Sequence, residues 1–221
     1  MKGTGAVILA VMLTSCLALY LAGIPETQKS AASIDDQVRT FFGKMEHRWR
    51  DMNVPEADGE TLHDIVLNHK YTRALEIGTS TGLSGTYIAW ALSKTGGKLV
   101  TIEIDETRHA EAVGNFREAG LAGIIDARLA DAHELVAELP GPFDFVFIDA
   151  DKEWYENYAR AVIPKLAPGG CIAAHNVYES RGGWGRGGAA AYFGYMKSLP
   201  EFDSRILTGG SGSLSVSYKN K

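Results

Sequence analysis

From residue 34 onward the chain alternates between two hydrophobic periods. Ile34, Val38, Phe41, Phe42, Met45 and Trp49 recur every three or four positions, which predicts a helix with one apolar stripe over 34–49. A second stripe, Leu62, Ile65 and Val66, predicts a helix over 57–69. Beyond it short apolar runs take turns with helical segments: RALEIG, a helix over 82–92, KLVTIEI, a helix over 106–119, DARLA, a helix over 132–139, FDFVFID, a helix over 152–166, and GGCIAAHN. Near-continuous apolar strands are covered on both faces, and their regular alternation with helices predicts a parallel sheet. After the glycine-rich RGGWGRGG, a helix over 189–199 leads to SRILT and SLSVSYK, whose GGSG junction reads as a hairpin. The expected fold class is α/β: a doubly wound, mostly parallel seven-stranded sheet with an antiparallel last strand and two N-terminal helices, in one domain over 34–221.

The first 24 residues follow another pattern. Lys2 precedes a nearly unbroken apolar run from Ala6 to Ile24, closed by Pro25. Nineteen residues at helical rise span roughly 28 Å, close to the hydrocarbon thickness of a bilayer, so 1–24 reads as a membrane anchor and 25–33 as a linker. A cleaved signal is the alternative, because Leu13-Thr14-Ser15-Cys16 resembles the bacterial lipoprotein box; against it, the residues after Cys16 stay apolar.

Composition narrows the function classes. A chain of 221 residues that is 45% hydrophobic can build one core, and a net charge of -5 offers no attraction to a phosphate backbone. The expected partner is a small molecule and not a nucleic acid; a homodimer stays open. Cys16 and Cys171 lie in unlike settings, so neither a disulfide framework nor a cysteine zinc site is implied.

Chemistry concentrates at the strand ends. RALEIG runs into TSTGLSG, which puts Gly78, Gly82 and Gly85 around a strand-to-helix turn where backbone approaches a ligand and a helix N-terminus offers free N–H groups. The spacing is not the G-x-G-x-x-G of a dinucleotide turn, and the acid Glu76 sits just before it. Glu103 ends the next strand, where an acid can bind ribose hydroxyls. Together they favour an adenosine-containing cofactor.

With Glu76, Gly78, Gly82, Ser84 and Glu103 in place, the chain resembles the class I methyltransferases, whose fold is Rossmann-like and whose cofactor is S-adenosylmethionine. MNVPEADGETLHDIV, from Met52, is similar to the segment before the first strand of catechol O-methyltransferases, and FIDADKEWY to a stretch of the caffeoyl-CoA O-methyltransferases. The resemblance implies Met52 and Val54 at the methionine end of the cofactor, Glu76 and Ser84 on its amino acid portion, Glu103 on the ribose, and Asp131 with Ala132 beside the adenine. It also implies a divalent metal on Asp149 and on an Asp-Asn pair one strand later. Asn176 matches that pair, but position 175 is His175 and not aspartate.

That change removes a carboxylate from a hard-cation site, and it leaves magnesium, manganese and zinc undecided. Three roles for His175 stay open: metal ligand, metal-free general base and hydrogen-bonded structural residue. In the expected mechanism a cation orients the acceptor and lowers the pKa of its hydroxyl, while Lys152, pushed by that cation toward the amine, takes the proton; Asp149, Lys152 and His175 are the catalytic candidates. Asp151, already in the turn, is expected at the cofactor with Asp149 or in loop hydrogen bonding. The substrate side departs from the family, with Arg50 where the catechol enzymes carry tryptophan, while the loop 180–188 reads either as a cover for the acceptor or as a disordered connection. The expected activity is transfer of a methyl group to a hydroxyl of a small aromatic, from a domain kept on the cytoplasmic side, where the methyl donor is made. The alternatives are a nicotinamide oxidoreductase, which leaves Asp149, His175 and Asn176 without a role, and an inactive relative that only binds.

Overall fold

The computed structural model describes residues 33–46, 48–49, 51–178, 187–207 and 213–221. Helix α1 (Ile34–Met45) starts at Ser33, whose hydroxyl accepts from the Asp36 N–H, and buries Val38 and Phe41. It ends short of Trp49, which still reaches the same core from a turn and meets Phe41 edge-on at 5.8 Å. The apolar stripe thus outlasts the helix, because a turn can deliver a large ring to the surface that a helix would cover. Helix α2 (Glu56–His69) closes with Lys70 in the left-handed conformation.

Strands and helices then alternate as β1 (Arg73–Ile77), α3 (Leu83–Thr95), β2 (Lys98–Glu103), α4 (Glu106–Glu118), β3 (Ile125–Leu129), α5 (Ala132–Glu138), β4 (Phe143–Ile148), α6 (Tyr155–Val162), β5 (Leu166–Ala174), α7 (Gly188–Ser198), β6 (Phe202–Ile206) and β7 (Ser215–Lys219). The expected helix over 152–166 is α6 flanked by two short 3-10 turns, Lys152–Trp154 and Ile163–Lys165. Pro164 has no N–H for a continuing α-helix, which accounts for the second break. Strand β5 begins at Leu166, ahead of the expected glycine pair, and its register to β4 shifts between Phe143 and Phe145.

The seven strands lie in the order β3-β2-β1-β4-β5-β7-β6. Neighbours from β3 through β5 pair in parallel, and β7 runs antiparallel to both β5 and β6. Side chains alternate across the pleat: Phe145 and Phe147 of β4 enter the core under α2 and α3, whereas Val146 and Ile148 enter the core on the other face with α6 and α7. Each fully buried ring or branched chain contributes roughly 1.5–3 kcal/mol, so two-sided burial makes this sheet a rigid platform. Sequence progression runs outward from β1 on one side and from β4 on the other. Their carboxyl ends therefore flank a crevice, the place where open α/β sheets take ligands.

The expected anchor 1–24 and the linker through residue 32 lie outside the described residues, as do Arg50 and residues 180–186 of the expected acceptor loop. Among the described residues no helix is long and apolar enough to cross a membrane.

Candidate active site

The crevice is a cleft of about 600 Å3 at the carboxyl ends of β1, β2 and β4. Its floor requires glycine at 78: φ is +96°, and a Cβ there would collide with the Asp149 carbonyl. The strand ends are laced together, with Gly78 N–H donating to the Ile102 carbonyl (3.0 Å) and Asp149 N–H to that of Ile77 (2.8 Å). Met52, Ser80 and Asn176, all lining the cleft, also hold left-handed backbone at φ +51°, +49° and +56°. For methionine and serine this conformation costs on the order of 1–2 kcal/mol, strain that clusters at functional sites because surrounding structure must impose it.

One half of the cleft is acidic and rigid. The Glu103 carboxylate accepts from the backbone N–H groups of Ser80 (2.7 Å), Ile104 (3.0 Å) and Asp105 (3.0 Å), which hold it in a single orientation with lone pairs to spare. Asp131 caps α5 by accepting from His133 N–H (2.9 Å), and Ala132 follows it on the wall. Asp151 also lines the cleft and caps the short turn after β4, accepting from Glu153 N–H at 3.1 Å. The His133 ring stacks on Trp154 at 3.9 Å. Val54, Glu76 and Ser84 are buried behind the cleft and do not line it. Glu76 Oε2 accepts from Thr101 at 2.6 Å, while Oε1 has no partner among the described residues. An unpartnered buried carboxyl oxygen is costly in an empty fold, and it marks a place able to receive a donor.

The other half holds a chain of charged groups. Lys152 Nζ lies 2.6 Å from Asp149 Oδ1 and 2.8 Å from the Tyr155 hydroxyl, which in turn donates to the His175 carbonyl at 3.1 Å. His175 Nδ1 is 3.4 Å from Asp149 Oδ2, and Nε2 is 3.0 Å from Asp58 Oδ2. Burial alone would push the Asp149 carboxyl up. The His175 hydrogen bond and the Lys152 charge outweigh it and hold this group below the usual carboxylate range.

The metal expected on Asp149, His175 and Asn176 does not fit these side chains. Both Asp149 oxygens and both His175 ring nitrogens are engaged with other protein groups, so the cluster offers no pair of unoccupied ligand atoms. Among the described residues no group of three or more histidine, cysteine or acidic side chains is arranged to hold a metal ion.

Three participants escaped the sequence reading. Asp58 is 1% exposed, and its signal was a carboxylate four residues before Leu62 on the apolar stripe of α2. Asn53 donates to Thr81 Oγ1 (2.7 Å) and to the Asp51 carbonyl (2.9 Å), which ties the Met52 segment to the glycine turn. Tyr155 is fully buried and also supports Lys152.

The family model described as O-methyltransferase matches residues 27–181. A catechol O-methyltransferase of Niastella koreensis is 41% identical over 107 residues, 47% of this chain and 48% of that protein. Caffeoyl-CoA O-methyltransferase 1 of Eucalyptus globulus is 31% identical over 136 residues, 59% of this chain and 55% of its own. The matches thus span about half the length of these curated relatives. Among solved structures, an O-methyltransferase from Bacillus cereus in complex with SAH superposes with a TM-score of 0.70 at 23% identity, covering 93% of this chain and 97% of that one. An SAH-bound Podospora anserina methyltransferase gives 0.73 at 18% identity, covering 100% and 99%. At such identities the structural likeness speaks for the fold alone, whereas the family match takes in well over half the sequence: this chain belongs to the O-methyltransferase family.

Proposed function

We propose that this protein moves a methyl group from S-adenosylmethionine to a hydroxyl of a small phenolic acceptor. The observation that carries this reading is one cleft with two unlike halves. Glu103 and Asp131 line one side, and Lys152, fixed by Asp149 and Tyr155, stands at the other. The relatives named for catechol and caffeoyl-CoA point to the same acceptor class.

When bound, the cofactor supplies an electrophilic methyl group on a sulfonium. Glu103 receives the ribose hydroxyls with a carboxylate already oriented by three backbone donors, so little freedom is lost on binding. Asp131 and Ala132 border the adenine; Met52 and Val54 border the methionine end. Glu76 and Ser84, buried directly behind the cleft wall, serve the amino acid portion once its ammonium reaches the unpartnered Glu76 Oε1. Lys152, whose side chain is 37% exposed, meets the acceptor oxygen and favours its ionised form by charge, and the proton is lost to solvent at the mouth. The expectation that Lys152 takes the proton as an amine rested on a cation beside it. With Asp149 as its partner, its role is electrostatic. The divalent metal has no part in this reading, because Asp149 and His175, two of the three groups expected to hold it, face each other and are further engaged by Lys152 and Asp58.

Calorimetry of the full chain with S-adenosylhomocysteine, followed by labelled methyl transfer to catechols and hydroxycinnamoyl thioesters, tests the proposal. Saturable binding and a methyl ether product are expected. Absence of any heat of binding would refute the whole reading; binding without transfer to any phenol would refute the acceptor class.

A further inference from the structure

We infer that the place reserved for a divalent cation at the β4 and β5 ends is filled in this chain by its own side chains, His175 clamped between Asp58 and Asp149 and the neighbouring Lys152 ammonium, and that no metal binds there. His175 faces carboxylates through both ring nitrogens, with Nε2 3.0 Å from Asp58 Oδ2 and Nδ1 3.4 Å from Asp149 Oδ2, so both sides of the ring are taken by protein groups. Asp149 is equally committed, with Oδ1 on Lys152 and Oδ2 on His175.

Ligand chemistry points the same way. The Lys152 ammonium already occupies Asp149 Oδ1 at 2.6 Å, and the other two expected ligands, His175 and Asn176, bring no carboxylate, the donor that a hard divalent cation takes. A divalent cation would have to displace the Lys152 ammonium from Asp149 and part the Asp149 carboxylate from the His175 ring. Each of these changes leaves a buried polar group poorly matched, which is expensive in a low-dielectric interior. Asp58 stands 117 residues from His175 in sequence, on a different element, and its place on the apolar stripe of α2 makes sense as the inner jaw of this clamp.

The inference concerns the acceptor half of the site proposed above, and it is tested by a readout that needs no methyl transfer. The full chain is titrated with Mn2+, followed by electron paramagnetic resonance, and with Zn2+, followed by calorimetry. Neither ion should show saturable binding, and any methyl transfer should be unaffected by a chelator. His175→Asp should acquire stoichiometric Mn2+ binding and a melting temperature raised by Mn2+, because it replaces the clamped ring by a third hard oxygen donor group. The double variant His175→Asp, Asp58→Asn restores the original carboxylate count and serves if the single variant is too unstable to purify. Stoichiometric Mn2+ or Zn2+ on the native chain, lost in His175→Ala, would overturn the inference. No Mn2+ on either variant would overturn the assignment of His175 as the group that fills the place. Failure to bind S-adenosylhomocysteine is a separate outcome that strikes the proposed function and leaves this test intact.

Discussion

Glu76 shows how much a single side chain can be governed by its surroundings. Burial drives its carboxyl up to about 8, with hydrogen bonds from Ser84 and Thr101 opposing, and Gly85 keeps the space open, since a Cβ there would come within 2.7 Å of Oε2. Unfolded, the same group titrates near 4.5. The folded chain holds this proton more tightly, so the associated stability is fully present below about 4.5 and is lost as pH rises through about 8. Glu76→Gln should flatten that loss, which amounts to at most about 5 kcal/mol for a shift of this size. Urea unfolding of both proteins at the two ends of this range is the check, and an identical slope in the variant would refute the assignment. The acid before the glycine turn was legible as a candidate in the strand pattern. Its deep burial was not, because burial depends on helices that arrive from elsewhere in the chain.

At the level of elements, α3 opens on Gly82, which has no side chain to satisfy the first N–H groups of the helix. Asn53 takes over: its Oδ1 accepts from Leu83 N–H at 3.4 Å while its amide holds Thr81 and the Asp51 carbonyl. One residue thus supplies an acceptor to the first turn of the helix and ties the Met52 segment to the cleft that it lines. Asn53→Ala should cost about 1 kcal/mol of stability, as lost caps do, and should also weaken S-adenosylhomocysteine binding measured by calorimetry. Unchanged affinity would mean that the Met52 segment is held by other means. Hydrophobic period located most helices to within a few residues. It overran where a turn or Pro164 interrupted the backbone, since periodicity records which residues meet the core and not which carbonyl each N–H meets.

Across the whole molecule, the two ends of the sheet have different duties. At the amino ends Asp144 accepts from Thr72 N–H (2.7 Å), Thr72 Oγ1 (3.0 Å) and Arg73 N–H (2.8 Å), joining β4 to the start of β1 far from the cleft. Asp144→Ala should therefore lower stability by about 2 kcal/mol, the scale of hydrogen bonds to a charged group, with the dissociation constant for S-adenosylhomocysteine unchanged. A parallel loss of affinity would show that the two ends are coupled. The amino-acid sequence by itself determined the alternation of elements, the antiparallel final strand, the turn glycines and the acids at the strand ends, because periodicity, backbone freedom and side-chain type are local properties. Only the tertiary structure decided what those acids do. Asp149 meets Lys152 and His175, and the far side of the His175 ring meets Asp58 arriving from α2. The protonation and ligand capacity of a buried group are set by neighbours within a few ångströms, and those neighbours are distant in sequence.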